Sequence, residues 1–153
     1  MNGAEWFSLD ANVLVYAVDV DSGERHERAL QLLARARARS CILAVQCLGE
    51  FYVVATRKKG VRPSAAIAVI RDWMAIFPIV GNDADAVTLA LPAVEAGGFS
   101  YWDALLLGTL ARAGCTTLLS EDMADGSSLA GVTVRNPFAG DVVPEAVARL
   151  LGG

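Results

Sequence analysis

Runs of about four apolar residues, each followed by a helical stretch, recur along the whole chain and constrain its fold more than any other feature. Trp6-Phe7-Ser8-Leu9 reads as a buried strand, and Asp10 and Asn12 open a short helix to Val18. Asp19 to Gly23 forms a turn. From Glu24 to Ser40 the apolar positions Ala29, Leu30, Leu33 and Ala36 lie between charges, the pattern of an amphipathic helix. Cys41 to Ala44 reads as a second strand and Val45 to Arg57 as a helix, closed by basic residues and Gly60. Pro63 starts a helix to Ala75. Phe77 to Val80 is a weak strand because of Pro78, and Asn82 is expected to cap a helix to Glu95, with Pro92 as a kink site. Gly97-Gly98 breaks the chain, and Ser100 caps an apolar helix to Ala113. Strands at Thr116–Leu119 and Val132–Arg135 and a helix over Pro144–Leu151 complete the pattern. Short apolar strands separated by helices imply a parallel sheet covered on both faces. The fold expected is a single three-layer α/β domain.

Composition narrows the function classes. The chain has 153 residues, 54% hydrophobic and 20% charged, enough to bury a core and too apolar for disorder. No apolar stretch approaches the about 20 residues of a bilayer span. The first residues carry no basic leader, so the expected location is cytoplasmic with no membrane partner. Cys41, Cys47 and Cys115 form no CxxC pair and are expected as buried thiols. The single histidine, His26, lies in a charged run and is expected to be a solvated helix residue. One histidine and no paired cysteines exclude the usual zinc sites, and His26 is a poor base for a catalytic triad. Strong chemistry then falls to carboxylates.

In open α/β sheets, ligands collect outside the carboxyl ends of the strands. Asp10 follows the first strand, Asp122 follows Leu118-Leu119-Ser120-Glu121, and Asp103 lies in the first turn of the helix opened by Ser100. Glu50 sits at the edge of a buried helical stripe. Each has a purely structural alternative: Asp10 as an N-cap, Ser100-Tyr101-Trp102-Asp103 as a capping box, Ser120-Glu121-Asp122 as a loop. Negative charge at a helix start is favourable by about 0.3–1 kcal/mol without any chemistry.

Phe7-Ser8-Leu9-Asp10-Ala11-Asn12-Val13-Leu14-Val15-Tyr16 resembles the opening of PIN-domain ribonucleases, specifically VapC-type toxins of bacterial toxin–antitoxin pairs. Leu48-Gly49-Glu50-Phe51-Tyr52, Tyr101-Trp102-Asp103-Ala104-Leu105 and Leu118-Leu119-Ser120-Glu121-Asp122-Met123 resemble the next three acidic motifs, in order, over most of the chain. The resemblance implies an α/β/α PIN-like domain with a central mostly parallel sheet over residues 1–140. Residues 141–153 would be a C-terminal helical extension of the same domain. It implies Asp10, Glu50, Asp103 and Asp122 as catalytic metal-binding acids, with Asn12, Ser120, Glu121 and Asp125 in support. Whether Glu121 or Asp122 is the fourth ligand stays open. The implied activity is Mg²⁺-dependent endonucleolytic cleavage of RNA through metal-activated water, with Mn²⁺ as an alternative and one or two ions. The implied partners are an RNA substrate, a VapB-type antitoxin and a second copy in a homodimer.

The residues are consistent with that chemistry. Clustered carboxylates repel, and an all-oxygen set without histidine or thiolate suits a hard divalent cation. The net charge is −4, but setting aside four ligands leaves 13 acids against 13 Lys and Arg. Arg57, Lys58, Lys59 and Arg62 can follow a phosphate backbone or simply complement a helix C-terminus. Tyr101 and Trp102 can stack on a base, although core packing is the plainer expectation. The rival readings are a PIN-fold binding or regulatory protein without significant nuclease activity and, less favoured, a metal-dependent phosphatase. The haloacid-dehalogenase type of phosphatase needs a second acid two residues after Asp10, where Asn12 stands, and a late lysine. The only lysines are Lys58 and Lys59.

Overall fold

The computed structural model describes residues 4–153; Met1-Asn2-Gly3, read above for a leader, lie outside them. Apolar strands flanked by longer helices assemble in the order expected. β1 (Trp6–Leu9) leads into α1 (Ala11–Val18), and α2 (Glu24–Ala36) into β2 (Leu43–Ala44). Next come α3 (Val45–Lys58), α4 (Pro63–Ile76), β3 (Ile79–Val80), α5 (Ala84–Glu95) and α6 (Tyr101–Arg112). β4 (Cys115–Leu119), β5 (Ser128–Leu129), β6 (Val132–Arg135) and α7 (Glu145–Leu150) finish the chain. The result is a three-layer α/β/α domain.

Four strands run β1-β4-β6-β5, parallel except for β5, and β2-β3 form a second parallel pair. A parallel bridge between Phe7 and Cys41 joins the two sets. The pairing of β1 with β4 matters most for function. Leu9 lies opposite Leu119, so both strands end at the same level. Phe7, Ser8, Leu9, Leu118 and Leu119 are all fully buried, so the two strands are covered on both faces where they meet.

α6 is the central helix. Ala104 through Leu110 are all buried, the mark of a helix apolar on every side. It packs on α5 at close range: a Cβ at Gly108 would lie 2.8 Å from the carbonyl oxygen of Ala86. Thr109, buried within α6, donates to Oδ1 of Asn82 at 2.8 Å. α1 packs against α2 and α3, and α3 against α4, where Phe51 meets Trp73 edge-on at 4.7 Å. α7 is more than an appendage, since Val147, Leu150 and Leu151 are buried in the common core.

Several element ends differ from the sequence reading. α2 stops at Ala36, four residues early, and the Arg37–Ser40 segment turns so that Cys41 reaches Phe7. In that arginine-rich stretch the one apolar residue, Ala38, is exposed, so nothing buried holds a further turn of helix. β3 is only Ile79–Val80, because Pro78 has no N–H to donate; its carbonyl accepts from Leu43 instead, at 2.9 Å. Asp83, not Asn82, caps α5, accepting from Ala86 N at 2.8 Å. α5 runs on through Pro92 to Glu95. β5 was not expected. It pairs with β6 through a two-residue turn at Ala130 and Gly131, both at positive φ (51° and 87°), the geometry of a tight hairpin. Alanine in that conformation hides the usual turn signal. The three cysteines are free and buried, as expected. His26 is half-buried, its Nδ1 2.8 Å from the Tyr16 carbonyl, so it is a packed residue and not a solvated one.

Candidate active site

Asp10 is the first residue beyond β1 and the N-cap of α1. Its backbone continues the β1–β4 ladder, with N donating to Leu119 O at 2.9 Å. Its Oδ1 accepts from Ala11 N at 2.7 Å. Because β1 and β4 end side by side, Ser120 falls against it, and the Ser120 hydroxyl donates to Oδ2 at 2.7 Å. Asn12 ties the same corner together. Its Nδ2 lies 3.1 Å from Ser120 Oγ and 3.4 Å from Asp10 Oδ2, while its Oδ1 accepts from Glu121 N at 3.2 Å. Asp122 N donates to Ser120 Oγ at 3.2 Å, which fixes the backbone that carries the fourth acid. Asn12 and Ser120 therefore both contact the Asp10 carboxylate and each other.

Asp10 is 6% exposed, and burial pushes its carboxyl above the ordinary carboxylate range. The hydrogen bonds from Ser120 and Ala11 oppose that shift, and the charges of Asp122 and Asp103 add to it. Glu50 projects from α3 on the open side of the same region. Partial desolvation raises it first, followed by the charges of Asp10, Asp103 and Asp122. Carboxylates contributed by four separate segments thus act on one another electrostatically. They do so without touching: among the described residues, no three Asp, Glu, His or Cys side chains are gathered into a closed metal cage. An open set of hard oxygen donors fits a small divalent cation that keeps much of its water and takes only one or two carboxylates directly.

Glu121 does not belong to that set. It accepts from the Tyr16 hydroxyl and receives Arg25 at 2.8 Å through Nε and through Nη2. Burial works against its charge, but Arg25 and Tyr16 together hold its carboxyl below the ordinary range. Tyr16 is pushed up to about 12, by burial first and by Glu121 second, so its proton stays available to donate. With Glu121 engaged away from the other acids, Asp122, which is exposed, is the one free to face a ligand. Asp125, given a supporting role by the resemblance, is exposed, and its Oδ1 accepts from Asn136 N at 3.0 Å, bracing the hairpin region.

A cleft of about 210 Å³ opens beside Asp10, lined by Ala11, Asn12, Val15, Tyr16, Glu50, Val54, Lys59 and Asp122. Of the four basic residues considered for substrate, only Lys59 lines it, and its Nζ pairs with Asp19 at 3.1 Å. Arg57, Lys58 and Arg62 are exposed around the end of α3. A larger hollow of about 570 Å³ lies elsewhere, near Glu5, Arg39 and Arg149, and includes none of the four acids. Tyr101 and Trp102 are exposed, contrary to the expectation of core packing. The sequence reading missed three residues here: Tyr16, Arg25 and Cys47, whose thiol lies 3.6 Å from Asp10 Oδ1. Tyr16 stands four residues after Asn12, and Cys47 three before Glu50, so helical spacing places each on the same face as a site residue. Arg25 carries no such signal.

No curated protein matches the sequence. Solved structures do match. VapC20 of Mycobacterium tuberculosis, described as a Sarcin-Ricin loop cleaving toxin, aligns with TM-score 0.61 and 18% identity, covering 76% of this chain and 91% of that one. DNA-bound VapBC from Salmonella typhimurium aligns with TM-score 0.63 and 14% identity, covering 86% and 98%. PAE2754 from Pyrobaculum aerophilum aligns with TM-score 0.60 and 15% identity over 99% and 98%. At these identities the agreement is one of fold. The PIN domain family model matches residues 8–124, from inside β1 to just past Asp122, and the chain therefore belongs to the PIN-domain family.

Proposed function

We propose that this protein is a divalent-metal-dependent endoribonuclease, with Mg²⁺ or Mn²⁺ as cofactor, acting as the VapC-type toxin of a toxin–antitoxin pair. The observation that supports the reading is that the Asp10 and Glu50 carboxyls, raised first by burial, are raised further by the charges of Asp103 and Asp122, which come from other segments of the chain. A bound cation would supply Lewis-acid activation of water and charge neutralisation at the scissile phosphate. The chain's own residues do the rest. Ser120 and Ala11 N hold the Asp10 carboxylate in one orientation, and Asn12 locks the two strand ends together. Glu50 and Asp122, which both line the cleft, would hold the ion or its waters. Lys59, restrained by Asp19, offers a positive charge for a neighbouring backbone phosphate.

The partner reading, an antitoxin protein and a second copy of the chain, draws on the fold shared with VapBC complexes from Salmonella typhimurium and Rickettsia felis. Among the described residues no helix is long and apolar enough to cross a membrane. The deciding experiment is cleavage of single-stranded RNA by the purified chain with Mg²⁺, with Mn²⁺ and with chelator, for wild type and Asp10→Asn. Metal-dependent cleavage lost in a folded Asp10→Asn protein supports the nuclease. Absence of cleavage by the wild type under all conditions supports a PIN-fold binding protein instead.

A further inference from the structure

Trp102 is 59% exposed and Tyr101 37%, in the first turn of α6, immediately before Asp103. Their rings pack edge to face, with centroids 5.2 Å apart and planes at 82°. A tryptophan left in water contributes little to the core, yet this one is firmly placed. Ser100 Oγ accepts from Asp103 N at 3.2 Å, capping the helix that carries it. Gln46 Nε2 donates to the Trp102 carbonyl at 3.0 Å, tying the start of α6 to α3, the helix of Glu50. The backbone of Trp102 is therefore tied to α3, the helix of Glu50, while its exposed indole packs edge to face with Tyr101.

We propose that Trp102, braced by Tyr101, is a stacking platform for an unpaired RNA base next to the scissile phosphate. This rests on the reading of the protein as an endoribonuclease. The occupant follows from position and chemistry. The platform adjoins Asp103 in the chain, so a substrate whose phosphate reaches the carboxylates carries a base within the same neighbourhood. A flat indole recognises the π-face that every base exposes once unpaired, and that a duplex hides. Stacking is also insensitive to the negative charge of the cleft, which repels the phosphates on either side of a bound cation. Trp102 is thus a substrate-positioning residue that favours single-stranded or looped RNA over duplex.

The test compares wild type, Trp102→Phe and Trp102→Ala on one short RNA, presented single-stranded and as a perfect duplex, with Mg²⁺. Trp102→Ala is expected to raise KM for the single strand roughly tenfold, the scale of one lost stack. Its kcat should change much less, and Trp102→Phe should recover most of the loss. Because Trp102 is exposed, both variants are expected to fold, and an unchanged cation-induced rise in melting temperature confirms an intact carboxylate site. In an Asp10→Asn background, RNA binding should quench tryptophan fluorescence, and Trp102→Phe should remove the quench. An unaltered KM in Trp102→Ala with the quench retained in Trp102→Phe overturns the platform. So does an unaltered KM accompanied by a change in oligomeric state, which would make Trp102 a protein contact. If the wild type cleaves no RNA, the nuclease reading itself fails, and the platform falls with it.

Discussion

The hydroxyl of Ser120 donates a 2.7 Å hydrogen bond to Oδ2 of Asp10, joining residues 110 positions apart in the chain. The bond exists because β1 and β4 are parallel neighbours that end in register, and it fixes the most buried carboxylate of the cleft. Without Ser120, Asp10 keeps the Ala11 amide at 2.7 Å and, at longer range, Asn12 Nδ2 at 3.4 Å and the Cys47 thiol at 3.6 Å. Ser120→Ala is expected to destabilise the fold by about 1.5–3 kcal/mol in chemical denaturation, the range for a buried bond to a charged group. It should also weaken divalent-cation binding, read as a smaller cation-induced shift in melting temperature. A variant that loses stability but binds cation as the wild type does would show that the bond serves the fold alone.

Adjacent acids are expected to behave oppositely. Asp122→Asn should leave stability nearly unchanged and strongly reduce metal-dependent cleavage. Glu121→Gln should retain cation binding but lower stability modestly, because it weakens the contacts with Arg25 and Tyr16. Arg25 is half-exposed, so the loss is expected to be under about 1 kcal/mol from the ion pair itself. Denaturation and cation titration of the two variants side by side distinguish them; the reverse outcome would reassign the fourth acid to Glu121.

Burial first, and like charges second, raise the carboxyls of Asp10 and Glu50 in the folded protein. Between the ordinary carboxylate range and those raised values, the native state holds more protons than the unfolded one. Metal-free stability must therefore fall as pH rises through that window. Asp10→Asn has no such charge at this position. Measured in chelator, its melting temperature should gain on the wild type as pH increases from about 4 to 7. A cation added at the upper end should restore the wild type and not the variant. A pH-independent difference between the two proteins would contradict the charge crowding.

Gly108→Ala tests the packing that delivers Asp103. The added Cβ would meet the Ala86 carbonyl oxygen at 2.8 Å, a backbone atom that cannot swing aside. Separation of α5 from α6 is expected, with a loss of about 1–3 kcal/mol in denaturant unfolding. Alanine's better helix propensity offsets less than about 1 kcal/mol of this. Equal or higher stability would mean that the two helices are less closely constrained than they stand.

The sequence by itself determined the elements and the identity of the acids. Local periodicity encodes a helix or strand because burial selects one face, so α1, α3, α4, α6 and β6 lie where their patterns put them. Asp10, Asp103 and Asp122 were legible as acids near strand ends or helix starts, and Glu50 as an acid at the edge of a buried helical stripe. What the tertiary structure decided was relational. Glu121 and Asp122 are indistinguishable as neighbours in a string, and only the arrival of Tyr16 and Arg25 from other elements engages one and frees the other. Asp125 was given a supporting role by resemblance, and only the fold shows its carboxylate bound to the backbone of Asn136. Trp102 reads as core until the packing of α6 leaves its first turn in water. Periodicity reports how often a residue faces inward along its own element; which distant side chain stands opposite depends on strand register and helix docking, and no local pattern carries that information.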